Sequence, residues 1–440
     1  MKKLLCGASE TVITPKFGLE IPGYFGARIA TGVKTDLYTV AVAIDNGEKS
    51  VILISIDIVD FRAPLAKAVR KKLQEAIGID PSSVLIHATH THTAQPTNYT
   101  GFGVKKNTRA VNRLIELVAE NAIKAYEKRR PVRMGFGTGN ENRIAFTRNY
   151  RMTDGSIMTN PVKTRVQDIV EPLHAPDTSV GVLRFDDAEG KTVAEIVNFA
   201  CHPDTIGGTE YSADYPGVFR EETKKALGEG SVVLFLNGCA ADINHIDAIF
   251  FRDNPGTPYN REFYRDHYIK MGTLLSETVQ KIHADIKLTD DCDVDFVSKT
   301  YRAKRRQPTE EMIAEAESIL AGDPDTHAKI YAEERLSLKT HPLYYATVEI
   351  QAIKIGDCSI VGLPCEAYND MGDAIKAASP FGSNMVVSLA NGLVGYVVTE
   401  PAFSAGVYES QLSRYNSSLS PCDAEKMVEV AGKLQKKLHS

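Results

Sequence analysis

The sequence has no paired-cysteine motif, no long apolar run and no excess of basic side chains, and each absence removes a class of protein. Its seven cysteines (Cys6, Cys201, Cys239, Cys292, Cys358, Cys365 and Cys422) are odd in number, scattered, and form no CxxC pair. A disulfide framework or a thiolate zinc site fits that distribution poorly, and reduced thiols in a reducing compartment fit it better. No apolar stretch approaches the roughly 20 residues of a membrane span. The opening MKKLLCGASETVITP also lacks the apolar core of about 7–15 residues that a secretory signal requires. A cytoplasmic location is the expectation. With 51 Lys and Arg against 56 Asp and Glu, the net charge is −5, whereas a nucleic-acid binder shows a clustered basic excess.

What is there suits an enzyme-sized globular protein. Hydrophobic residues make up 43% and charged residues 24% of 440, the usual balance for a chain with a large core. Length alone permits two or three domains. The run VILISIDIV at 51–59 is rich in β-branched residues and is followed by the helical pattern LAKAVRKKLQEAIG, which predicts a buried strand leading into an amphipathic helix. A second such unit starts at SSVLIHATHTHT (82–93) and continues into a helix over 108–129. Further strand-like runs lie at 192–202, 232–239, 346–356 and 384–392, with helical patterns in most of the gaps. An α/β class follows. The more charged stretch from about 287 to 343, with a helix capped by Thr309, reads as a helical insertion or flap, and 246–262 as an irregular surface loop.

Chemistry concentrates at strand exits. In HATHTHTAQP (87–96), His90 and His92 stand two apart, so on extended backbone both imidazoles share a face and can converge on one metal or substrate. His87 would face the other way and reads as a structural histidine. His202 follows a strand and precedes Pro203, which halts regular pairing. The run FLNGCAADINHID leaves its strand through small residues and offers Asp242, Asn244, His245 and Asp247. Glu366 follows a strand at the start of a helical stretch, where its charge would also suit a helix N-terminus. Tyr396 and Tyr408 lie in a Gly-rich segment.

Taken together, GASETVITP with GYFGAR, the THTHT core, CHPDTIG and SADYPG, NGCAADIN, LPCE, and the spacing from GYVVTE to VYE stand in one order along the chain. In that order they resemble the catalytic domain of the neutral/alkaline ceramidase superfamily over nearly the whole sequence. The resemblance implies one catalytic domain over residues 1–440, built of mixed β-sheets covered by helices in a multilayer sandwich. It implies one Zn²⁺ held by His90, His202, Glu366 and Tyr396, with His92 as acid/base, Tyr408 at the oxyanion or the substrate, and an arginine, Arg148 or else Arg143. Imidazole, carboxylate and phenolate ligands suit zinc with an open position for water. Asp242 or Asp214 would orient a ligand histidine.

The departures bear on substrate. Asn244 stands where the family's proposed serine would be, so a serine nucleophile has no support. The sequence is also too short for the C-terminal immunoglobulin-like domain of full ceramidases, which are typically secreted or membrane-associated. The expected function is zinc-dependent hydrolysis of a linear amide, in ceramide or another N-acyl compound. A soluble sugar-derived amide, ester or lactone, or a non-catalytic metal-stabilised binding protein, are the alternatives. No GxSxG elbow or HExxH helix is present, and Gly190-Lys191-Thr192 lacks the glycine of a Walker A loop. Oligomeric state is not legible.

Overall fold

The computed structural model describes residues 3–97, 104–260, 263–290 and 292–440. The apolar run at 51–59 becomes the strand Ser50–Ile56, and its alternation shows why it is apolar on both faces. Ile52, Ile54 and Ile56 enter one core with Ala41, Ala43 and Val84, while Val51 and Leu53 enter another with Val40, Val42 and Leu85. A strand buried on both faces needs no polar face. Its sheet runs in the order Val84–Ala88, Ser50–Ile56, Tyr38–Asp45, Leu5–Val12 and Arg130–Pro131. The helices Ala63–Ile77 and Thr108–Glu127 cover its outer face. Within that layer the buried Asn121 amide donates to the Ser9 and Thr39 carbonyls and accepts from Thr11, tying the second helix to two strands.

The inner face packs against two further sheets. One comprises Val232–Asn237, Thr192–Phe199, Ser179–Asp186 and Arg133–Asn140, covered by the helices Asp214–Leu227 and His267–Asp285. The other comprises Val294–Lys304, Tyr345–Ile355, Cys358–Gly362 and Ser383–Val387, covered by Asn369–Ala378 and Pro421–His439. The result is the mixed α/β arrangement expected, in one compact domain. None of the described helices is long and apolar enough to cross a membrane.

Each sheet carries one parallel strand pair: Ser50–Ile56 with Val84–Ala88, Thr192–Phe199 with Val232–Asn237, and Cys358–Gly362 with Ser383–Val387. The candidate residues lie beyond the C-terminal ends of these pairs, the usual place for a site in parallel α/β sheets.

Two stretches differ from expectation. The 287–343 segment opens with the strand Val294–Lys304, which pairs along its full length with Tyr345–Ile355, before the helices Glu310–Ala321 and Thr326–Thr340. The charged side chains there sit on a strand and a helical pair, and composition hid the strand. Thr309 does cap the first helix, accepting from the Met312 amide. Within 246–262, Ala248–Asp253 is helical, capped by Asp247. Residues 261 and 262 lie outside the described ones.

Candidate metal centre

His90 and His202 meet with their Nε2 atoms 3.1 Å apart. Each ring donates its Nδ1 proton to a backbone carbonyl, His90 to Val59 at 2.7 Å and His202 to Ala240 at 2.8 Å. A carbonyl only accepts, so both Nδ1 atoms are protonated and both Nε2 atoms are turned toward one another. The Glu366 carboxylate completes the convergence, with Oε2 at 3.1 Å from His90 Nε2 and 3.7 Å from His202 Nε2. A carbonyl that fixes the tautomer of a converging histidine is the arrangement that surrounds ligand histidines.

The strand pairs explain how these groups are placed. In the first pair, one strand leads to His90 and the other to the Val59 carbonyl. In the second, one leads to His202 and the other to the Ala240 carbonyl. In the third, a two-residue parallel bridge sets Glu366 directly beside Tyr396. That bridge needs Gly395, whose φ is +98° and where a Cβ would stand 2.4 Å from the Asn416 carbonyl oxygen. The carbonyls that hold the two imidazoles replace Asp242 and Asp214, which orient neither. Asp214 instead accepts from the Thr205, Ile206 and Tyr215 amides and shapes the loop after His202.

His90 and His92 converge, but not through extended backbone. The strand ends at Ala88, and His90 sits at φ +77°, a left-handed conformation for a non-glycine residue. Such conformations persist where surrounding structure enforces them. Here His90 N donates to Ile58 O, while the Thr91 and Thr93 hydroxyls both donate to Ser212 O. One ring nitrogen each from His90, His92 and His202 lies within 4.8 Å of the others, a buried group able to hold a metal ion. His87 is structural as expected, accepting from the Asn237 amide with burial pushing its pKa to about 3.

His92 differs from the other two. Neither ring nitrogen has a hydrogen-bond partner among the described residues, and Nδ1 lies 3.5 Å from Asp204 Oδ1. The ring is held by packing: Tyr24 meets it edge to face, and Gly23, at φ +106°, comes so close that a Cβ would stand 2.7 Å from it. Arg28 donates to the His92 carbonyl. Tyr24, Arg28 and Asp204 went unsingled in the sequence, although GYFGAR and CHPDTIG contain them.

Electrostatics favour bringing a cation here. Burial opposes the charge on His90, but the Glu366 carboxylate prevails and raises its pKa, while Glu366 is held below its ordinary value despite burial. Burial lowers the pKa values of His202 and His92, with the His90 charge adding to it. Burial and then Glu366 raise the Tyr396 phenol. Two imidazole nitrogens, a carboxylate and a phenol oxygen therefore converge, and Glu366 Oε2, in ion-pair contact with His90, has no hydrogen-bond partner among the described residues. That donor set fits a Zn²⁺-type ion.

Arg148, not Arg143, reaches the site. Its Nε donates to Glu409 at 2.6 Å and Nη2 to the Tyr396 hydroxyl at 3.2 Å, whereas Arg143 pairs with Glu141. Tyr408 meets Tyr396 edge to face, with ring centroids 6.0 Å apart. Its hydroxyl meets that of Tyr331, which itself accepts from Asn416, so the helix Thr326–Thr340 backs the site. These groups line a cavity of about 390 Å³. Cys201 and Cys365 are buried, the first thiol donating to the Ile144 and His202 carbonyls and the second to Met427 Sδ.

A second ion pair outside that cavity joins the half-buried His174 to the buried Asp242, whose Oδ1 also accepts from the Asn369 amide. Burial opposes charge on His174, but Asp242, with help from the Ala175 carbonyl and Asp370, raises its pKa from 6.5 to about 9. A raised imidazole pKa stabilises the fold fully below its unfolded value, and the benefit is lost as pH rises through the folded value. Between about pH 6.5 and 9 the wild type should therefore lose on the order of 2 kcal/mol relative to His174→Asn. Urea midpoints of the two proteins across that range measure it, and parallel profiles would refute the ion pair.

The fold and the site thus define an α/β protein with a buried histidine centre at its strand ends. Solved structures put that fold in a more particular group. The neutral ceramidase from Pseudomonas aeruginosa superposes with a TM-score of 0.77 at 17% identity, covering 100% of this chain and 75% of that one. A ceramidase complexed with C2 gives 0.76 at 16% identity, covering 100% and 76%. The chain has the neutral ceramidase fold. No family model matches it.

Proposed function

We propose that this protein is a zinc-dependent hydrolase of linear amides, with the metal held by His90, His202, Glu366 and Tyr396. The observation that carries this is the pair of facing Nε2 atoms whose Nδ1 protons are fixed on Val59 and Ala240 carbonyls. Histidines that merely pack in a core do not turn two Nε2 atoms toward each other beside a carboxylate. A bound Zn²⁺ would supply Lewis acidity, polarising a carbonyl and acidifying water.

The remaining roles belong to the chain. His92 has no hydrogen-bond partner on either nitrogen among the described residues, so it can accept the proton of the attacking water and pass it to the leaving nitrogen. The acyl carbon gains the hydroxyl of water, the C–N bond breaks, and the amine leaves with the proton. The Tyr408 and Tyr331 hydroxyls meet, and with Tyr331 as donor the Tyr408 O–H would be left to donate to the developing oxyanion. Arg148, locked on Glu409, sets a fixed positive charge 5.6 Å from the Tyr408 ring. Preorganised donors of this kind act where charge develops. Asn244 is not a nucleophile in this scheme: its side chain donates to Asn160 and accepts from the Ile246 amide.

The test is metal analysis with a panel of N-acyl amines. About one zinc per chain is expected, with hydrolysis lost on chelation and restored by Zn²⁺. Full hydrolysis by exhaustively metal-free protein would overturn the reading, as would an acyl group trapped covalently on the chain.

A further inference from the structure

A second cavity, about 610 Å³, adjoins the site and shares Tyr24, Arg148, Asn160, His202 and Asp204 with its wall. Its far side is formed by Asn244, His245, Tyr259, Asn260 and Tyr264, and Ile246 is the one aliphatic residue among those lining it. Resting on the hydrolase reading above, we propose that this cavity is a subsite for an uncharged, polyhydroxylated group. The amide cleaved would then belong to a hydrophilic N-acyl amine, such as an N-acylated amino sugar, and not to a long-chain lipid.

Two side chains carry the argument. His245 is 8% exposed, lines the cavity, and has no hydrogen-bond partner on Nδ1. Burial, helped by the neighbouring His267, pushes its pKa to about 3, so at neutral pH it is an uncharged donor and acceptor. Asn160 is held at φ +50° by its amide bond to the Arg148 carbonyl. Its Oδ1 accepts from Asn244, which leaves Nδ2 as an unused donor among the described residues. The unmade hydrogen bond on the buried His245 Nδ1 costs about 1–3 kcal/mol, and a hydroxylated ligand would recover it and also give the half-buried Asn160 amide an acceptor. An alkyl chain would offer neither group a partner.

The aromatic wall fits the same occupant. Tyr259 and Tyr264 stand edge to face with centroids 5.5 Å apart, beside the amides. A sugar ring has apolar C–H faces and a hydroxylated rim, so aromatic faces next to amide groups match both parts. Lys163 is exposed at the rim with Nζ 5.9 Å from the Tyr259 ring, and among the described residues no buried unpaired charge lies on the far wall to select an ionic group.

The experiment compares two ligands that share an acetamide and differ in the appended group: N-acetylglucosamine and N-hexylacetamide. Metal-free protein is titrated with each by calorimetry, and zinc-loaded protein is assayed on both and on an N-acyl sphingosine. N-acetylglucosamine should bind at least about tenfold tighter than N-hexylacetamide, the worth of roughly one recovered hydrogen bond. His245→Phe and, separately, Tyr259→Ala should shrink that ratio. Equal binding of the two, or a ratio unmoved in both variants, overturns the subsite. Preference for the sphingosine amide in the assay also overturns it while leaving the hydrolase reading intact. Variant-sensitive binding of N-acetylglucosamine without turnover of any amide supports the polar subsite and removes the hydrolase reading instead.

Discussion

His202→Ala is expected to strip the protein of its metal. The substitution removes one of the two facing Nε2 atoms and leaves the Ala240 carbonyl without its donor, while His90 and Glu366 remain in contact at 3.1 Å. Groups that only orient a ligand typically change metal affinity by about 10–100-fold. Loss of the ligand itself should exceed about 100-fold, so zinc content after gel filtration should fall from one per chain to near zero. His92→Ala is the contrasting case. His92 lies in the same histidine group but its other nitrogen is not fixed on a carbonyl. It should keep the metal and lose about 10²–10⁴-fold in kcat/KM, the usual worth of a positioned acid/base. Equal metal loss in the two variants would make His92 a ligand and refute the division of roles.

The sequence showed which residues would meet but not how. Strand exits, small residues after NGC and the recurring motifs pointed to His90, His92, His202, Glu366 and Tyr396, and the structure gathers all five around one cavity. The strands themselves were legible because residues such as Ile52 and Leu53 serve two cores, which makes the run apolar throughout. What escaped was everything carried by main-chain atoms. The Val59 and Ala240 carbonyls that set the histidine tautomers have no side-chain signature, and a period-two reading could not anticipate the turn at His90.

Long-range side-chain pairing escaped for a related reason. Asp242 looked like a partner for a ligand histidine because it lies near His202 in motif order, yet it pairs with His174, far from any motif. The strand Val294–Lys304 was masked by charged residues, since its exposed positions alternate irregularly along an edge. Cys201 and Cys365 show the opposite outcome. They adjoin candidate ligands in sequence, but their thiols are buried and burial raises them far above reactive values, which agrees with the reading of both as packing residues.

Arg148→Met should destabilise the fold by about 3–5 kcal/mol, the cost of leaving one partner of a buried ion pair uncompensated. Glu409 is fully buried, and apart from Arg148 its side chain accepts only from the Asn149 amide. Burial already raises its pKa while Arg148 opposes that rise, so without the guanidinium the carboxyl should take up a proton. The sign follows: the folded variant binds a proton more readily than its unfolded chain, so its deficit against wild type should narrow as pH falls toward 5. Arg148→Met combined with Glu409→Gln removes both charges and should recover at least half of the lost stability in urea denaturation. Activity should not return with it, because the double variant still lacks the donor to the Tyr396 hydroxyl and the positive charge beside Tyr408. Recovery of kcat/KM together with stability would show that Arg148 only holds the fold; recovery of stability alone assigns it to the chemistry as well.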